Sequence, residues 1–110
     1  MRRGARLALA VCAAGSAALG TGAAEPETKT HTVVIESLQF TPPTLAVAKG
    51  ERIVWVNRDL FPHTVTADGR SFDSREIAAG ASWTYVAAKP GEYPYGCTLH
   101  PTMHAKLIVK

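Results

Sequence analysis

Residues 91–110 read G-E-Y-P-Y-G-C-T-L-H-P-T-M-H-A-K-L-I-V-K, and the fold turns on how this stretch is read. Successive side chains of an extended chain point to opposite faces, so Tyr93, Tyr95 and Cys97 share one side. That side is assigned to the core, and the Cys97 thiol with it. Further on, Ala105, Leu107 and Val109 share a face while Lys106 and Lys110 take the other, the pattern of a half-buried strand. Two strands with T-L-H-P-T-M between them place Cys97, His100 and Met103 in one compact loop.

The chain upstream follows the same grammar. T-H-T-V-V-I-E-S (30–37) and T-L-A-V-A-K-G (44–50) read as early strands. E-R-I-V-W-V-N (51–57) carries apolar residues on both faces, which places it centrally in a sheet. H-T-V-T-A-D (63–68) follows, then the loop-like G-R-S-F-D-S-R-E-I (69–77), then S-W-T-Y-V-A (82–87), in which Trp83 and Tyr85 share a face. The turn K-P-G (89–91) leads back to the decisive stretch. Seven or eight short strands, with no segment of helical period beyond residue 24, predict an all-β chain folded as a small Greek-key β-sandwich. No internal repeat or low-complexity tract interrupts it.

The first residues, M-R-R-G-A-R, precede an apolar run from Leu7 to Gly20 and small residues at Gly22 and Ala24, the anatomy of a secretory signal. The apolar run is short against the roughly 20 residues a membrane span needs. Residues 1–24 are therefore expected to be a signal peptide cleaved before Glu25, and residues 25–110 a single domain in the periplasm, with no stable membrane insertion. Val11 suits a lipoprotein site at Cys12 poorly, and little beyond the Arg2-Arg3 pair matches a twin-arginine signal, so the general secretory route is expected.

Of the twelve Lys and Arg, three (Arg2, Arg3 and Arg6) lie in the signal, whereas none of the nine Asp and Glu precedes Glu25. The remaining domain is neutral, which leaves no electrostatic case for a nucleic-acid partner. Cys12 departs with the signal, so Cys97 has no partner for an internal disulfide. A single thiol in an oxidising compartment calls for burial, catalysis or a metal.

Singly, a buried Cys, a gap-filling Met and an isolated His are ordinary. Together, Cys97, His100 and Met103 at i, i+3 and i+6 can converge on one point, and His63, after Pro62, supplies a second imidazole if its strand lies beside that of Cys97. A thiolate, two imidazoles and a thioether suit copper: sulfur stabilises Cu(I), imidazole accepts either state, and the set imposes neither square-planar nor linear geometry. His104 and His31 are expected to stand outside the site, Trp55 and Trp83 to be core, and Asp59, Asp68, Asp73 and Glu76 to be solvated.

In W-V-N-R-D-L-F-P-H-T-V (55–65), G-E-Y-P-Y-G-C, C-T-L-H-P-T-M and the closing K-L-I-V, the chain resembles the cupredoxins, the blue copper proteins that include plastocyanin, pseudoazurin and amicyanin. The likeness covers nearly all of residues 25–110, and the short C-x2-H-x2-M loop is most similar to that of amicyanin. It implies one copper ion, Cu(II)/Cu(I), in a type 1 site with His63, Cys97 and His100 as equatorial ligands and Met103 as the weak axial one. It further implies a soluble one-electron carrier, monomeric and not an enzyme. Its partners would be redox proteins such as a c-type cytochrome or a periplasmic dehydrogenase, docking transiently near His100 through Phe61, Pro62, Leu99 and Pro101. Thr64 departs from the pattern, because many cupredoxins have Asn after the first His. The rival readings are a periplasmic copper-binding or trafficking protein, a metal-free sandwich with Cys97 as a core thiol, and a Cys97 nucleophile lacking any legible oxyanion hole. The resemblance also implies that His100 protonates and leaves Cu(I) in acid; the reduction potential should then rise as pH falls, and a pH-independent potential would dispose of that expectation.

Overall fold

The computed structural model describes residues 28–110. The signal peptide, its cleavage point and the start of the domain at Glu25 lie outside them. Eight strands form: β1 (Thr30–Glu36), β2 (Gln39–Thr41), β3 (Thr44–Val47), β4 (Arg52–Asn57), β5 (Thr66–Ala67), β6 (Ser82–Val86), β7 (Gly91–Cys97) and β8 (His100–Val109). They build two four-stranded sheets, ordered β2-β1-β4-β6 and β3-β8-β7-β5. The all-β sandwich expected from the alternating pattern is the fold observed.

Strand alternation produces the core. Val33 and Ile35 of β1, Ile53 and Trp55 of β4, Tyr95 and Cys97 of β7, and Leu107 and Val109 of β8 are all buried between the sheets. β4 is internal, paired parallel with β1 and antiparallel with β6, which explains why Val54 and Val56 on its outer face are also half-buried. β8 is likewise internal, between β3 and β7.

Three details differ from the sequence reading. β2 was not foreseen: it is three residues long, and its turn from β1 uses Ser37 and Leu38 at φ of 55° and 59°. Such hairpin turns normally announce themselves through Asn-Gly or Gly. In H-T-V-T-A-D only Thr66 and Ala67 pair as a strand with β7, while His63 forms a single bridge to Ile77. The expected ligand loop is almost entirely strand. β7 ends at Cys97 and β8 begins at His100, with Cys97 opposite His100 and a register shift between Gly96 and Cys97. Gly96 makes this possible, since a Cβ there would meet the Met103 carbonyl oxygen at 2.5 Å.

The centre of the sandwich is an aromatic cluster. Trp55 crosses Tyr95 edge-on at 5.6 Å between ring centroids, and its Nε1–H donates to the Tyr95 hydroxyl at 3.1 Å. Trp83 stacks on Tyr85, and Phe72 from the 69–77 segment inserts 4.8 Å from Tyr85. Phe72 and Ile77 are both buried, so that loop is moored by its apolar residues. Trp55 is core as expected, and Trp83, half-buried, packs against it. Burial pushes the Tyr95 hydroxyl up to about 12, against the smaller opposing effect of the Trp55 bond.

Replacing Tyr95 with Phe strands the Trp55 N–H in a dry interior. The unfolding free energy of the apo protein should fall by about 1–3 kcal/mol. Urea denaturation followed by tryptophan fluorescence measures it, and an unchanged midpoint would mean that the bond contributes nothing.

Candidate metal centre

The four proposed donors come from three places in the chain that meet at one end of the sandwich. Cys97 closes β7, His100 opens β8, Met103 follows on β8, and His63 arrives through the segment leading into β5. The β5–β7 pairing sets Thr66 opposite Gly96 and so brings the His63 segment alongside Cys97, the neighbourhood the sequence reading required. His63, Cys97 and Met103 are buried and His100 is half-buried.

Cys97 Sγ lies 3.6 Å from His63 Nδ1. Sulfur and nitrogen donors bound to one first-row ion at roughly 2.3 and 2.0 Å, meeting at about 110–120°, stand about 3.5–3.7 Å apart. The His63 and His100 ring centroids are 4.9 Å apart. No three His, Cys, Asp or Glu side chains among the described residues are drawn together tightly enough to hold a metal unaided. The set takes the Met103 thioether as its fourth donor. Its soft-plus-imidazole chemistry fits copper better than the oxygen-seeking ions.

Thr64 fastens the site in two ways. Its backbone N–H donates to Cys97 Sγ at 3.2 Å. Its hydroxyl oxygen accepts the Thr98 N–H at 2.9 Å and lies 3.1 Å from the Thr98 hydroxyl. The Thr66 hydroxyl in turn sits 3.0 Å from Thr64 Oγ1 and 3.2 Å from Asp73 Oδ1. Thr64 thus joins the His63 segment to the turn after Cys97.

One of the four carboxylates expected to be solvated is not. The Asp59 side chain is only 11% exposed, with Oδ2 2.8 Å from His63 Nε2. It also accepts the Ser37 and Leu38 N–H groups at 2.6 and 3.0 Å. Burial alone would raise its pKa; the bonds from Leu38, His63 and Ser37 outweigh that and hold the carboxyl below its usual range. Asp73 is exposed but accepts from the Arg75 N–H at 2.8 Å and borders the Thr66 hydroxyl. Asp68 and Glu76 are exposed as expected.

Asn57 was not singled out from the sequence as a site residue. It is fully buried, and its amide donates to the Phe61 and Ile77 carbonyls while its Oδ1 accepts the Asp59 N–H. One side chain therefore shapes the 57–63 loop. The signal available was an Asn ending a strongly apolar strand. His104 is exposed, and His31 bonds Glu51 at 2.8 Å well away in sequence from the donors.

A two-sheet sandwich with a buried His and a Cys-x2-His-x2-Met run at one end defines a cupredoxin-like protein. The chain belongs to this family: a profile described as "Cupredoxin-like domain" matches residues 6–109. It is 31% identical over 105 residues to amicyanin-alpha of Methylorubrum extorquens, covering 86% of this chain and 87% of that protein. It is 29% identical over 83 residues to the amicyanin of Paracoccus versutus, covering 71% of this chain, and it spans 63% of that protein's length. A Cu(I) structure of an amicyanin mutant superposes with a TM-score of 0.68 at 26% identity, over 74% of this chain and 82% of the other.

Thr64→Val keeps the backbone N–H to sulfur and removes the hydroxyl that receives Thr98. The apo protein should lose about 1–3 kcal/mol of stability, and the copper-loaded protein should change in potential. A potential and copper affinity equal to wild type would show that the side chain takes no part in tuning.

Proposed function

We propose that this protein is a soluble, monomeric one-electron carrier of the periplasm, with a single type 1 copper ion held by His63, Cys97, His100 and Met103. Bound there, copper would supply a Cu(II)/Cu(I) couple. The observation that carries the reading is the 3.6 Å separation of Cys97 Sγ and His63 Nδ1 at donor spacing, beneath the Thr64 N–H and beside the His100 ring.

The residues divide the work. Cys97 supplies the soft anionic donor, and burial keeps it from water and oxidants. His63 has no exposed surface and acts as an internal anchor. Met103, also buried, supplies the thioether. With four protein donors, no coordination position is left for a substrate, which favours outer-sphere electron transfer over catalysis.

His100 is the half-buried donor and gives electrons their route to the surface. Phe61, half exposed, lies 6.2 Å from its ring, and Leu60 and Leu99 are also exposed. A small apolar face of this kind suits brief docking with fast release. Redox proteins such as a c-type cytochrome or a periplasmic dehydrogenase fit it, with residues 1–24 as the signal that delivers the chain.

Adding Cu(II) to purified apo protein should produce an intense blue sulfur-to-copper band and a narrow copper hyperfine splitting, both lost reversibly on reduction. Cys97→Ser should abolish the band. A colourless wild-type product would overturn the carrier reading in favour of copper trafficking or a metal-free module.

A further inference from the structure

The side of His63 that faces away from Cys97 is built as carefully as the side that faces it. His63 Nε2 is 2.8 Å from Asp59 Oδ2, and the ring is fully buried. A carboxylate only accepts, so this contact requires the proton on Nε2 and leaves the Nδ1 lone pair directed at Cys97 Sγ. Asp59 is itself fixed from two directions. Its backbone N–H donates to Asn57 Oδ1 at 2.9 Å, and its carboxylate receives both N–H groups of the β1–β2 turn, from Ser37 and Leu38. These two residues have positive φ without being glycine. A turn in an unfavoured backbone conformation is therefore pinned by the same carboxylate that orients the imidazole.

Nothing comparable holds the other imidazole. Among the described residues no hydrogen bond to the His100 ring is found, and its neighbours are the Phe61 and His63 rings.

We propose that Asp59 is the positioning residue of the metal centre, fixing His63 in its Nε2–H tautomer and bracing it against the β1–β2 turn. The assignment rests on the reading of His63 as a ligand. An anion bonded to the far side of a ligating imidazole raises its basicity and favours the more highly charged oxidised metal. Asp59 therefore also lowers the reduction potential of the site. The β1–β2 turn, remote in sequence from every donor, becomes part of the centre's support.

Two variants and two kinds of measurement test this. Nitrogen-15 NMR of the apo protein in mildly alkaline buffer reads the His63 tautomer without any metal; Nε2–H is expected, and Nδ1–H in wild type would overturn the proposal. Asp59→Asn keeps one acceptor oxygen for Nε2–H and Leu38 and removes the charge, so its apo tautomer should stay Nε2–H, while the Ser37 N–H loses its acceptor and the thermal melt should fall modestly. Its copper-loaded potential should rise. Asp59→Ala should release the tautomer and weaken copper about 10–100-fold. If the Ala variant does not fold, the Asn variant decides alone: a folded Asp59→Asn protein with wild-type potential would overturn the proposal. A failure of the ligand reading shows itself separately, as absence of the blue spectrum in wild type with the Nε2–H tautomer intact.

Discussion

The site depends on one bond made by a backbone group: the Thr64 N–H donating to Cys97 sulfur. It is made across the gap between a β5 approach and the end of β7, two segments 33 residues apart in the chain. A backbone donor cannot swing away as a side chain can, so its position is that of the β5–β7 pairing itself. The sulfur is thereby given a fixed partner before any metal arrives. The Thr64 hydroxyl doubles the tie through Thr98, so one residue spans both halves of the donor set.

Around that bond the loop from Asn57 to His63 is a study in satisfying buried polar groups. Asn57 and His63 have no exposure, and in a dry interior each unpaired donor or acceptor would be costly. Asn57 meets the Phe61 and Ile77 carbonyls, Asp59 meets His63 and the β1–β2 turn, and the loop has little freedom left. Behind it the aromatic cluster gives the platform rigidity. Trp55, Tyr95 and Phe72 touch one another from β4, β7 and the 69–77 segment, so the strand that leads into the His63 loop and the strand that ends in Cys97 rest on one packed body.

Much of this was legible in residues 30–110. Alternation alone placed Tyr95, Cys97, Leu107 and Val109 inward, and two-sided hydrophobicity placed β4 within its sheet, because burial follows the two-residue period of a strand. The Cys, His and Met spacing pointed to the donor set for a local reason too: three ligands within seven residues converge with little help from the rest of the chain. The β1–β2 turn was invisible because Ser37 and Leu38 carry none of the usual turn chemistry.

What the sequence by itself determined, then, was the period of each strand, the inward faces and the chemistry of the donors, all properties of near neighbours in the chain. Tertiary structure alone decided the partners of Asp59, Asn57 and Thr64, and that Gly96 must lack a Cβ to pass the Met103 carbonyl. Composition marks an Asp between Arg58 and Leu60 as a solvated turn residue. Only the arrival of a strained hairpin and a buried imidazole on either side of it turns that carboxylate into a joint, since hydrogen bonds between distant segments exist only once the sheets have brought those segments within reach.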